Sequence, residues 1–470
     1  MDINNELLQF TVNLCKQQGA KDVIVKAVQN NEHQIRFSNS QIDILKQWSS
    51  YTMDIMAARR KHVKFISIQT PEKSKIKTII PKALKNLSSE PKSMLYWGIE
   101  KKHHTYQYPE LADSDIKNFI DKAPDYVNTA IQSSTDAGSK KVAGVLYWGK
   151  KLTGVLTSKG NGGMYSSSYY RMTLRSFFDE ESSGQDIVAG RSLKNIESKC
   201  VKAGQNSAEI AKMAVNGVQG TPGKYDVILS PTVAANIFGQ LVGGANPLRI
   251  LFGMSSVGKK VGKHIGPENL TVTDDPTHPE GIGSYPFDIE GVPAKPTPII
   301  KNGKLVNILH NTSTAKLWCL LGFIGKGKIR AKSTGNSNLG YMMAEGIGPR
   351  SLFPKPSNYV YTPGNFTLEE MIENSQNPTI YLTSNWYTRY TNYIEGTFST
   401  IPRDGSFLIE NGEIKHSIRK IRLSDNLLRM STNITAIGKD LPQIQWWEVR
   451  IPTFIPAIKV ENCHITTATD

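Results

Sequence analysis

The spacing of hydrophobic and polar positions changes several times along the chain, and each change marks a new element. Over the first twenty residues Leu7, Leu8, Val12, Leu14 and Cys15 fall roughly on one side of a helix that Gly19 ends. The period then shortens. "DVIVKAV", "HQIRFS", "YTMDIMAAR" and "HVKFISIQ" read as short strands separated by Asn, Ser and basic turns. "DSDIKNFIDKAPDYVNTAIQSS" predicts a helix whose start Asp113 or Ser114 can cap, and "KVAGVLYWGKKLTGVLTSKGNGGMYSSSYYRMTLRSFFD" returns to strand patterning. Helical spacing recurs from Ser192 to Val218 and is closed by Gly220-Thr221-Pro222-Gly223, beyond which strands and turns rich in Gly and Pro dominate.

These elements predict an α+β protein: an N-terminal mixed α/β domain with an antiparallel sheet and helices, then a large β-rich C-terminal domain. A boundary near 220 divides the 470 residues into 1–220, itself divisible into about 1–110 and 111–220, and 221–470. With 39% hydrophobic and 21% charged residues, neither disorder nor a fibrous repeat fits. Cys15, Cys200, Cys319 and Cys463 lie far apart without CxxC pairing, which argues against a zinc ribbon and for a reducing compartment. The opening residues lack the order of a signal peptide and no long apolar run can span a bilayer, so a cytoplasmic location is expected. The net charge of +15 hints at an acidic partner. The excess gathers at Arg59–Lys64 and Lys73–Lys85, but no nucleic-acid module accompanies it, and a solvated basic face is the commoner meaning.

Few motifs carry chemistry. Gly253–Lys260, "GMSSVGKK", nearly spells a phosphate-binding loop, but Lys260 stands where a Ser or Thr hydroxyl is needed. Asp274–His278, "DDPTH", offers two carboxylates and an imidazole for a cation, yet an Asx-type turn before Pro276 needs the same residues. No G-x-S-x-G is present. "ANIFGQLVGGAN", Ala235–Asn246, has helical spacing with small or weakly polar residues at Gly239, Gln240, Gly243 and Gly244.

Several stretches together resemble the TldD/TldE (PmbA) family, once described as modulators of DNA gyrase and regarded as metalloproteases. They are "NGGMYSSSYYRMTLRSFFD", "GKYDVILSPTVAANIFGQLVGG", "NLTVTDDPTHPEGIGSYPFDIEGVPAKPTPIIKNGKLVNILHNTSTA", "STGN", "NWYTRYTNYIEGTFST" with "FLIENGEI", and "PAIKVENCHIT". Asp274, Asp275, Gly283, Ser284, Asp288, Glu290 and Gly291 form the most specific block, which the resemblance implies is a scaffold turn. In TldD-like chains the quoted helix carries His-Glu-x-x-x-His, two zinc ligands and a carboxylate that activates water. Here Gly239 replaces the first His, Gln240 the Glu and Gly244 the second His. Glycine cannot ligate, and a neutral amide is too weak a base. The resemblance is therefore to the TldE (PmbA) branch, with no catalytic or metal-binding residue on this chain and zinc on a TldD-like partner.

What the resemblance implies is a heterodimer paired through β-rich domains, in which an unfolded peptide reaches the partner's zinc through an enclosed passage, held by strand addition. Asn161, Ser166, Ser168 and Arg171, with Asn385, Tyr387 and Arg389, are the residues expected to line it. Close packing is the expected reason for the adjacent Gly243 and Gly244. The alternative is a homodimer that binds peptide or nucleic acid without cutting.

Overall fold

A computed structural model describes residues 3–322, 331–341 and 350–467. Helix α1 (Asn5–Gln17) starts where the Asn4 side chain accepts from the Leu7 N–H at 2.8 Å and stops before Gly19, whose φ of +89° suits a residue without a Cβ. The first two residues of the expected helix lie outside the described residues. Strands β1 (Asp22–Ser38), β2 (Gln41–Arg59), β3 (His62–Ile68), β4 (Lys141–Thr157), β5 (Gly162–Phe177) and β6 (Ser183–Gly190) form one antiparallel sheet in the order β3-β2-β1-β4-β5-β6. The short strands expected from the sequence are thus fused into long ones. β1 lies between β2 and β4 along nearly its whole length, so the polar stretch Gln29–Gln34 has ladder partners on both sides and stays extended.

Alternation gives the sheet two different faces. Val23, Val25 and Ala27 pack under α1 and α2 (Lys73–Leu84). Further along the same face, Ile35 and Phe37 pack under α3 (Phe119–Asp136) and α4 (Ile196–Met213). On the opposite face Ile24, Met56 and Val155 meet Phe287, Ile289, Leu339 and Leu352 from the later part of the chain. Asp113 caps a short 3-10 turn, Ser114–Lys117, that leads into α3. β3 pairs with β2 only from Met53 to Arg59, leaving Gln41–Thr52 as an open edge among the described residues, with Ile44, Leu45 and Trp48 exposed.

From Val218 onward the strands belong to other sheets. Gly223–Leu229, Ile458–Thr467, Ile421–Asn426, Thr397–Glu410 and Thr379–Asn392 pair in turn, and the last pairs back to the first, which closes a five-stranded ring. Helix α5 (Pro231–Gly243) follows the first of these strands. Val233, Ile237, Phe238, Leu241 and Val242 bury its apolar side against Leu229, Leu382, Phe398 and Ile455. Each such burial contributes about 2 kcal/mol. The whole is an α+β protein, as the spacing predicts.

Candidate functional site

Helix α5 is held at its start by Ser230, whose hydroxyl accepts from the Val233 N–H at 3.3 Å and donates to the Thr383 carbonyl at 2.7 Å. Pro231, at the first helical position, loses no hydrogen bond there. One turn before Gln240, buried Asn236 donates to the Glu448 carbonyl at 3.1 Å and accepts from Asn385 at 3.0 Å. Gly239 and Gln240 are half-buried beyond this lock. A Cβ on Gly239 would meet no atom within 4 Å, whereas one on Gly244 would lie 3.0 Å from both the Leu241 carbonyl and Val257. On Gly243 it would come within 3.3 Å of Arg249. Close packing therefore accounts for Gly244, while Gly239 faces open space.

The tertiary fold brings the segment Asn385–Arg389 to this helix. Asn385 is fully buried, its amide donating to Asn236 and, at 2.9 Å, to Thr400, so it positions the strand and leaves no donor for a peptide. Tyr387, at a φ of +51°, donates its backbone N–H to Glu448 Oε1 at 2.9 Å and exposes its ring beside Trp386 and Trp447. Arg389 is exposed and its guanidinium lies 5.2 Å from the Tyr387 ring centre, a cation–π distance. Trp447 and Glu448 complete this surface, with Asn236 buried beneath it. Sequence reasoning missed them because no local motif marks residues that meet only through the fold.

The segment Asn161–Arg171 is split by its own alternation. Asn161 is buried, accepting from the His104 N–H at 3.3 Å and donating to the Lys102 carbonyl at 2.9 Å. Ser166 pairs with Leu152 and Ser168 with Lys150, on the face that carries the helices. Ser168 is buried and spends its hydroxyl on the Asp113 N–H and the Arg191 carbonyl. Arg171, opposite Tyr147, lies on the other face. Of these four residues, Asn161 and Ser168 are consumed by the scaffold, Asn161 packed against Gly291 of the later chain, while Arg171 lies on the face that meets the later part of the chain.

The acids of the Asp274–Gly291 block hold loops together. Asp274 is wholly buried and accepts from the Ser357 N–H at 2.7 Å and the Asn336 amide at 2.6 Å; burial pushes its pKa up to about 6. Asp275 accepts from the Thr277 N–H at 2.8 Å, an Asx turn. Asp288 accepts from the N–H groups of Glu290, Val292 and Ser337, and Glu290 accepts from those of Glu100 and Thr312. Burial raises the pKa of both, and the charge of Glu290 raises that of Asp288 further. Gly283 sits so close that a Cβ would lie 2.3 Å from the Ser357 carbonyl. The near phosphate-binding loop ends in a 3-10 turn, Gly258–Lys260, with no helix N-terminus to hold a phosphate.

Among the described residues no three His, Cys, Asp or Glu side chains are grouped to hold a metal ion. At α5 the residues present do not fit zinc, since Gly239 and Gly244 offer no side-chain donor. No described helix is long and apolar enough to cross a membrane.

Fold and site together define an α+β protein whose β-rich part packs on a buried helix and is tied together by a lattice of buried acids. Residues 222–467, more than half of the chain, match the family model described as the PmbA/TldA metallopeptidase C-terminal domain, and the chain belongs to that family. It is 32% identical over 219 residues to a metalloprotease of Methanocaldococcus jannaschii, covering 46% of this chain and 44% of that one. It is also 30% identical over 239 residues to a zinc metalloprotease TldD homolog of Saccharolobus solfataricus, covering 50% and 48%. The chain spans about half the length of the curated relatives it matches. The solved structure of TldE from Thermococcus kodakarensis superposes with a TM-score of 0.82 over 98% of this chain and all of that one, at 19% identity, and so shares the fold.

Proposed function

We propose that this chain is the non-catalytic, TldE/PmbA-like subunit of a two-chain zinc metalloprotease that cleaves unfolded or small peptides in an enclosed chamber. The observation that carries this reading is helix α5. It keeps its cap and apolar face, while Gly239, Gln240 and Gly244 hold no atom that binds zinc or takes a proton from water. The zinc belongs to a TldD-like partner carrying His-Glu-x-x-x-His. Peptide is gripped along its backbone, and on this chain Tyr387, Arg389 and Arg171 are the side chains of the expected set that are free to face it. The two-part division near residue 220 fits this reading, with the β-rich part 221–470 forming the pairing surface.

Gentle purification of the tagged chain from its own cells, followed by mass spectrometry, tests the proposal. The expected result is a stoichiometric companion with an intact His-Glu-x-x-x-His, zinc in the complex, and peptidase activity that the isolated chain lacks. Recovery of the chain alone as a metal-free homodimer would overturn it and favour the binding-protein reading, for which the +15 charge is the supporting observation.

A further inference from the structure

The face of the N-terminal sheet opposite its helices changes character along β1. Where Ile24, Met56 and Val155 meet the later chain it is apolar, but from Lys26 onward it becomes a cationic recess. Register places Lys26 opposite Asp54 on β2, Lys151 opposite Asn30, and Arg171 opposite Tyr147, all on this one face but in a row along it: Arg171 lies eight positions along β5 from Gly163, which is in register with Lys26 through Val155, and Lys151 lies between them. The hairpin Ser337–Tyr341/Arg350–Pro354 forms one wall and leads directly into Lys355.

The cations here form no ion pair among the described residues, although the charge of Asp54 acts on Lys26 and that of Glu32 on Lys151. Lys26 Nζ donates to Asn338 Oδ1 at 3.1 Å, Lys151 Nζ lies 4.5 Å from the Tyr169 ring centre, and the Arg171 guanidinium lies 5.4 Å from that of Tyr147. Arg171 Nε is buried without a hydrogen-bond partner among the described residues. The two nearby carboxylates are already engaged. Asp54 accepts from Arg350 at 3.0 Å and from Ser67 at 2.8 Å, while Glu32 accepts from Tyr169 and from Asn30. None of Lys26, Lys151, Lys355 and Arg171 has a carboxylate within ion-pair distance among the described residues. Burial and then Lys355 and Lys151 draw the pKa of Lys26 down to about 8, against the opposing pull of Asp54; burial also lowers that of Lys151. Lys26 and Lys151 are half-buried and Lys355 is exposed, so the recess is open to water. Holding like charges together in a partly dehydrated recess costs stability, and a bound anion relieves that cost.

We propose that Lys26, Lys151, Lys355 and Arg171 form a binding site for the carboxylates of an acidic peptide segment. The inference rests on the peptide-chamber reading and names the substrate class for it: peptides rich in Asp and Glu. A polynucleotide fits less well, because a phosphate at every nucleotide would also be brought against Glu32 and Asp54, whereas a peptide spaces its charges with neutral residues. Asn30 and Gln34 share this face and offer amides to the peptide backbone.

The test uses the full chain alone, without partner or zinc, and fluorescence anisotropy of the labelled peptide Glu-Gly-Glu-Gly-Glu-Gly, with Lys-Gly-Lys-Gly-Lys-Gly and a six-nucleotide deoxythymidine strand as comparators. Expected is saturable, salt-sensitive binding of the acidic peptide that weakens at least ~10-fold in Lys26→Gln/Lys151→Gln/Lys355→Gln. A control with the same charge change at the exposed Lys301, Lys304 and Lys439 should bind as the wild type does. If the triple variant does not fold, Lys355→Gln alone, at an exposed side chain, should still weaken binding ~3-fold. Absent binding, equal loss in the control, or tighter binding of the nucleotide strand would each overturn the proposal. Because no cleavage is read, failure here leaves the companion-chain experiment unaffected, and the reverse also holds.

Discussion

Asp274 is a residue at which the scaffold is sensitive to protonation. Its folded pKa, about 6, lies above the ordinary carboxylate value of 3.8, so the folded state holds the proton more tightly than the unfolded chain. The stability this gives is fully present below the unfolded value and is lost as pH rises from about 4 to about 6, a loss of roughly 3 kcal/mol for a two-unit shift. Asp274→Asn removes that titration. Urea titrations across the window should show the wild type losing stability relative to the variant as pH rises, and parallel curves would contradict it. Asp274→Ala should cost roughly 2–4 kcal/mol below pH 4, because it strands the Ser357 N–H and part of the Asn336 amide, and less as pH rises, because it too removes the titration. The Asx turn at Asp275 was legible in the sequence since its acceptor and donor are two residues apart. The burial of Asp274 was not, because its partners lie 62 and 83 residues away.

At the scale of the element, α5 separates two kinds of glycine. Gly239 sits inside the helix beside open space, so Gly239→Ala should raise stability by about 0.5–1 kcal/mol through reduced freedom of the unfolded chain. Gly244→Ala must displace the Leu241 carbonyl or Val257 and should lower it. Thermal melts of the two variants decide, and shifts of the same sign would refute the distinction. β2 makes a second prediction. Amides of Gln41–Thr52 that point away from β1 should exchange hydrogen fast, while those of β1, paired on both sides, stay protected. The helices were readable from their caps and 3.6-residue spacing. Strand length was not, because Gln29–Gln34 is polar and only its two neighbouring strands keep it extended.

Across the whole molecule, the N-terminal sheet and the later chain are joined through the cluster around Phe287, whose ring centre lies 4.5 Å from that of Tyr106 and 5.7 Å from that of Tyr165. Phe287→Ala should cost roughly 3–5 kcal/mol, read by urea titration with fluorescence and circular dichroism together. A cost under about 1 kcal/mol would mean that the two parts do not depend on this cluster. The chain's own residues decided what is local or covalent: the α+β alternation, the capped helices, and the absence of any donor atom at Gly239 and Gly244. Tertiary structure alone decided which face each side chain occupies. It spent Asn161 and Asn385 on the scaffold and brought Lys26 beside Asn338, 312 residues distant. Period and propensity act over a few neighbours, whereas a recess of like charges exists only when distant strands and loops fold to one place.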